Sequence, residues 1–152
     1  MWLGLFFMFV AIAYFLTVRI DFPILSVLLL LSISTFAVGA GLVSAIFHVN
    51  ESRNIITMAS KIHGIGAAIG FITFLFFPLL NGILEFRQDN FNFGFVSIIS
   101  FILALIFFIC FIMGDKDQFQ NTILKYEGLW ERLALLCMYI PIAYKAVRNL
   151  LF

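Results

Sequence analysis

The two histidines of this chain, His48 and His63, are the residues best suited to chemistry, because imidazole binds metal ions and exchanges protons near neutral pH. A nearby carboxylate, for which Glu131 is the best candidate, would complete a set of two nitrogen ligands and one oxygen ligand. Such a set suits zinc or iron with an open position for water. Beside lipid head groups, this pattern predicts a metal-dependent hydrolase of lipid esters or amides.

The same residues also favour a binding role. Lys61 and Arg132 would contact an anionic group, and Glu131 would orient Arg132 in an ion pair next to His63. We expect the protein to bind a lipid-like or small polar ligand, or a partner, and to need no cofactor. The alternative is metal-dependent hydrolysis with zinc. The predicted ligand-binding residues are Ser44, His48, Lys61, His63, Glu131 and Arg132.

Neither histidine belongs to a haem attachment motif, since the sequence has no CxxCH. A bis-histidine haem in a helical bundle also needs two helices that face each other across the porphyrin. His48 and His63 are instead predicted at adjacent ends of one helical hairpin. Haem binding is therefore the weakest of the metal hypotheses.

The elements that position these residues are membrane helices. The 152 residues are 64% hydrophobic and 11% charged, whereas soluble domains carry about 25% charged residues. A hydrocarbon core needs roughly 20 apolar residues per helix. The sequence therefore predicts a single-domain, all-α integral membrane bundle of about five transmembrane helices, with spans at residues 2–18, 24–47, 62–80, 95–114 and 129–147.

The second and third spans form a hairpin that carries both histidines. Small residues recur at four-residue spacing on each arm, and in lipid this spacing lets two helix backbones approach closely. Five crossings would also bring the second and fourth loops to one membrane face, near His48, His63 and Glu131. The small residues are Ala37, Gly41 and Ala45 on the first arm, and Gly66 and Gly70 on the second.

Three further expectations concern the end of the third span, the phenylalanines and the two cysteines. Pro78 is expected to close the span, so that residues 81–94 form a loop. The 21 phenylalanines are expected to face lipid. Cys110 and Cys137 stand in apolar runs without CxxC spacing and are expected to be packing residues.

The charge pattern limits the partners. The net charge is +1 and no run of basic residues occurs, which argues against nucleic acid. Membrane lipids are the expected partners, with a second copy of the chain or another membrane protein as further possibilities.

Three short motifs resemble those of the bacterial multi-pass family called domain of unknown function nine-nine-eight. They are Ser44-Ala-Ile-Phe47, His63-Gly64 and Gly128-Leu-Trp-Glu131-Arg132, within a resemblance that covers residues 39–148. The likeness implies a protein of the bacterial inner membrane, and it implies no activity. It marks as site positions Ser44, His63, Gly128, Glu131 and Arg132. This chain departs from the family in having His48 where members tend to have proline.

Overall fold

The computed structural model describes residues 1–47 and 57–151, and the part of the chain that it describes is helical, without strands. The all-α fold class is therefore confirmed. The described residues form five helices, and two 3-10 turns lie between the fourth and fifth. The helices are α1 (Trp2–Val18), α2 (Pro23–Ile46), α3 (Met58–Arg87), α4 (Phe91–Gly114) and α5 (Glu127–Leu151).

Three of these helices are long and apolar enough to cross a membrane. They are α2, α3 and α4, with 24, 30 and 24 residues. A helix of 24 residues extends about 36 Å, which exceeds the hydrocarbon thickness of about 30 Å. These helices are those of a membrane protein. Helix α1 is a shorter apolar helix of 17 residues. That α1 and α5 also cross the membrane stays a prediction.

The chain divides into two compact units, Met1–Leu80 and Asn81–Phe152. In the first unit, α2 changes from α-helix to π-helix over Ala37–Val43. Glycines in this segment let the backbones approach closely, because a Cβ on Gly39 would collide with the carbonyl oxygen of Gly66 on α3. The hairpin of α2 and α3 is therefore packed through small residues, as the sequence predicts.

The register of that packing differs from the predicted one. Gly41 faces α1 and not α3, since a Cβ there would lie 2.5 Å from the Cα of Gly4. The π-helix holds more residues per turn than an α-helix, so positions after Ala37 rotate away from a regular four-residue stripe. Gly39 thereby takes the position facing α3, and the α2 segment packs against both α1 and α3.

Part of the phenylalanine set is core and does not face lipid. Phe7, Phe36, Phe74 and Phe77 are all 3% exposed or less. The rings of Phe36 and Phe74 stack at 4.5 Å, and Phe74 stacks on Phe77 at 5.3 Å. Because burial from lipid gives no hydrophobic gain, such ring contacts and close packing stabilise the unit. The expectation that phenylalanines face lipid is wrong for these four residues.

Helix α3 does not end at Pro78. Its α-helical hydrogen bonding is interrupted at Phe76, and the helix resumes at Phe77 and continues to Arg87. Proline is tolerated here because it occupies the first turn of the resumed segment, where the N–H would lack a helical partner. Residues 81–87 are therefore helical, and the predicted loop shrinks to residues 88–90. This extension lets Asn81 and Glu85 share one helix face.

The second unit contains the end of α3 together with α4 and α5. A Cβ on Gly94 would meet the ring of Phe86, and one on Gly82 would meet Ile98, so α3 and α4 pack closely beside their turn. Helices α4 and α5 pack along their length, with Phe93 stacked on Tyr144 at 4.5 Å. Both helices thus position polar side chains near residues 88–90.

Candidate functional site

His63 lies at the open end of the α2–α3 hairpin. Its Nδ1 is 2.8 Å from the backbone oxygen of Phe47, the last described residue of the first arm. A carbonyl oxygen only accepts, so Nδ1 carries the proton and donates, and in the neutral ring Nε2 is left with a lone pair. His48, the predicted second imidazole, lies outside the described residues.

Ser44 and Lys61 have different surroundings at this end. The Ser44 hydroxyl donates to the backbone oxygen of Gly39 at 3.1 Å, five residues earlier, within the π-helical segment. Lys61 is exposed. Ser44 therefore stabilises the unusual helix geometry, and its hydrogen bond is directed to the backbone of its own helix.

Glu131 and Arg132 belong to the second unit, near the start of α5. Arg132 is exposed, and Glu131 is partly exposed. Among the residues that the structure describes, no three histidine, cysteine, aspartate or glutamate side chains lie together as a metal site. Since His48 is not among them, the zinc site of His48, His63 and Glu131 stays a prediction.

The second unit contains a polar cluster around Glu85 that the sequence interpretation missed. The Glu85 carboxylate is buried at 1% exposure. Its Oε1 accepts from Lys145 Nζ on α5 at 3.2 Å, and its Oε2 accepts from Asn90 Nδ2 at 3.0 Å. Two charge-assisted hydrogen bonds thus compensate the cost of burying the carboxylate, and they join three elements.

The cluster extends to the solvent side through Asn90. The Asn90 Oδ1 accepts from Arg148 Nη2 at 3.5 Å, which is a long hydrogen bond. Arg148 lies three residues after Lys145, so both cations occupy one face of α5. Lys145 contacts the buried carboxylate, whereas the Arg148 side chain is exposed. The guanidinium is therefore held near the cluster with capacity for further hydrogen bonds.

The turn between α3 and α4 has the geometry of a Schellman motif. The N–H of Asn90 donates to the oxygen of Glu85 at 2.9 Å, and the N–H of Asp89 donates to Phe86 at 3.3 Å. Asp89 has a φ of 59°, in the left-handed region. Glycine is the usual residue there, and aspartate is tolerated at some cost. The turn therefore exposes a carboxylate at a position where a side chain is not required.

A pocket of about 380 Å³ opens beside this turn. Phe93 and Tyr144 form its aromatic wall through their stacked rings. Its size is suited to a small ligand or to a lipid head group. The lining residues are Asp89, Asn90, Phe91, Asn92, Phe93, Tyr144 and Arg148.

A second buried polar contact lies deeper in the same unit. Asn81 Nδ2 donates to the hydroxyl of Ser97 on α4 at 3.0 Å, and both residues are fully buried. Asn81 and Glu85 are four residues apart, and Lys145 and Arg148 are three apart, so each pair has helical spacing. Continuing the helical period past Pro78 would have revealed the first pair in the sequence.

Three comparisons bear on the identity of the chain. A scan against protein-family models, a search of curated proteins and a search of solved structures each find no match. The resemblance to the domain of unknown function nine-nine-eight therefore stays a prediction, and the site is interpreted from its own geometry.

Proposed function

We propose that this protein is a small multi-pass protein of the bacterial inner membrane that binds a lipid-like or small polar ligand. The observation that supports binding most directly is the pocket beside the α3–α4 turn, lined by Asn92, Tyr144 and Arg148. In this proposal the ligand presents an anionic group to the Arg148 guanidinium. In this proposal the binding site lies at the turn, and the site around His63 that the sequence predicts stays a prediction.

The level of the pocket in the membrane supports a head-group ligand. Helices α3 and α4 are both of membrane-spanning length, and the turn of residues 88–90 joins their ends. Irregular backbone exposed to lipid is excluded from the hydrocarbon core, so a turn between two spans lies at the membrane boundary. Lipid phosphates lie at the same level, where arginine is a common phosphate contact.

The buried cluster supports the proposal because its hydrogen bonds link the turn and α5, which carry the pocket residues. Glu85 holds Lys145 on α5 and Asn90 in the turn through two hydrogen bonds. Asn90 in turn holds Arg148. A binding group whose support is fixed before the ligand arrives loses less conformational entropy on binding.

Replacing Arg148 tests this function. We expect Arg148→Gln to weaken binding of anionic or phosphate-bearing lipid about tenfold, because a hydrogen bond to a charged group contributes about 1.5–3 kcal/mol. Native mass spectrometry of the detergent-purified protein, titrated with defined lipids, would measure the binding. Arg87→Gln is the matched control, because Arg87 is an exposed arginine near the same turn that does not line the pocket. Equal binding by both variants and the wild type would contradict the proposal.

A further inference from the structure

We infer that the ligand of this pocket is a zwitterion, with a primary ammonium group and a phosphate joined by a short linker, as in an ethanolamine phosphate head group. The inference rests on the proposed function, since it names the ligand class of the same pocket. Asp89 would bind the ammonium group, and Arg148 would bind the phosphate.

Two opposite charges line this pocket without neutralising each other. Among the described residues, the Asp89 carboxylate has no hydrogen-bond or ion-pair partner, and the Arg148 guanidinium has one hydrogen bond, to Asn90, and no ion pair. Both residues line the same pocket of about 380 Å³. A ligand with two separated charges of opposite sign would satisfy both side chains at once.

Ligands with a single charge fit this pocket less well. A purely anionic head group would be attracted by the Arg148 guanidinium but repelled by the Asp89 carboxylate. A simple cation would be attracted by Asp89 but repelled by Arg148. Repulsion between a ligand charge and a pocket side chain of the same sign weakens the binding of that ligand and so creates specificity. The pair of Asp89 and Arg148 therefore selects for a dipolar ligand over either ion alone.

The backbone conformation at Asp89 determines which substitution tests the role of its side chain. The left-handed φ of 59° would be adopted with less strain by glycine. Asparagine adopts this conformation as well as aspartate does and lacks the charge. Asp89→Asn thus removes the carboxylate charge while keeping the turn, which makes it a sharp test.

Two exposed aromatic residues of the pocket are suited to contact with a lipid. Phe91 is exposed at 56% and Tyr144 at 42%, and both line the pocket at the membrane boundary. Aromatic side chains with one wet and one apolar end are typical of this level. They would pack along the first carbons of acyl chains. Asp89 and Arg148 would also bind a soluble aminophosphate. The experiment must therefore distinguish a lipid head group from a soluble aminophosphate.

The test compares the binding of phosphatidylethanolamine with that of phosphatidylglycerol to the full chain by native mass spectrometry. We expect the wild type to prefer phosphatidylethanolamine about tenfold, by the strength of hydrogen bonds between charged groups. Asp89→Asn should lose this preference and still bind both lipids, whereas Arg148→Gln should bind both more weakly. Near-ultraviolet circular dichroism spectra and thermal unfolding curves that match the wild type would show that each variant is folded.

The outcomes separate the inference from the proposed function. Equal binding of the two lipids by the wild type would overturn the inference that the ligand is a zwitterion, and so would an unchanged preference in Asp89→Asn. The proposed function would still hold in either case if Arg148→Gln weakens binding. An Arg148→Gln variant that binds like the wild type would overturn the proposed function itself. Equally tight binding of phosphatidylcholine would also contradict the ammonium contact, since a quaternary ammonium donates no N–H to a carboxylate.

Soluble phosphoethanolamine distinguishes the two sources of this chemistry. Full competition at equal concentration supports a soluble aminophosphate as the zwitterion. Competition only at large excess supports the lipid, because acyl chains then add to the affinity. Both results support a zwitterion in the pocket, and a lack of competition at any concentration contradicts it.

Discussion

At the scale of single residues, the buried carboxylate of Glu85 organises the candidate site. It is the acceptor for Lys145 and for Asn90, and it is almost fully excluded from the surface. A buried charge of this kind is costly unless its oxygens are satisfied. The sequence predicts Glu85 in a loop, where burial of its side chain would be unexpected. The error in the predicted helix end therefore concealed a buried ionisable residue of the second unit.

Removing this carboxylate should destabilise the protein. We expect Glu85→Ala to lower the free energy of unfolding by about 3 kcal/mol, because it leaves the Lys145 ammonium without its charged partner. Asp115→Ala is the control, since Asp115 is exposed and such substitutions change stability by less than about 0.5 kcal/mol. Unfolding in mixed detergent micelles would measure both. Equal stabilities of the two variants would show that the ion pair contributes nothing.

At the scale of elements, the π-helical segment of α2 determines which glycines meet. Gly39 packs against Gly66, and Gly41 packs against Gly4. The four-residue spacing of small residues in the sequence correctly predicted a close hairpin. It assigned Gly41 to the wrong neighbour, because a regular α-helix was assumed and a π-helical turn changes the angular position of each later residue.

Two glycines on this hairpin give a matched pair of substitutions. We expect Gly39→Ala to destabilise the protein by about 2 kcal/mol, since the added Cβ collides with backbone that cannot move away. Gly64→Ala should change stability by less than about 1 kcal/mol, because no atom lies within 4 Å of its added Cβ. Unfolding midpoints in detergent would report both. A Gly64→Ala variant as destabilised as Gly39→Ala would contradict backbone contact as the cause.

At the scale of the whole molecule, composition was sufficient to predict the fold class. A chain that is 64% hydrophobic with long apolar runs predicts membrane helices, and three of the described helices meet that criterion. The site was harder to predict, because residues 145 and 148 of α5 meet residues 85 and 90 only through tertiary packing. Single-sequence patterns give spacing along one helix and do not reveal which helices pack together.

The length and apolar composition of α4 predict that it crosses the membrane, and labelling tests this prediction. We expect cysteines placed at Asp89 and at Asp117, in a chain whose Cys110 and Cys137 are replaced by alanine, to react on opposite faces of sealed vesicles. One should react with an impermeant maleimide from outside, and the other only after the vesicles are opened. Labelling of both from the same side would show that α4 does not span the bilayer.

The most direct test of the central claim is an experimental structure of the protein in nanodiscs that contain phosphatidylethanolamine. We predict a head group in the pocket beside the α3–α4 turn, with its phosphate within hydrogen-bonding distance of the Arg148 guanidinium and its ammonium at Asp89. A pocket filled by acyl chain alone, or a turn at residues 88–90 that lies within the hydrocarbon, would contradict that claim.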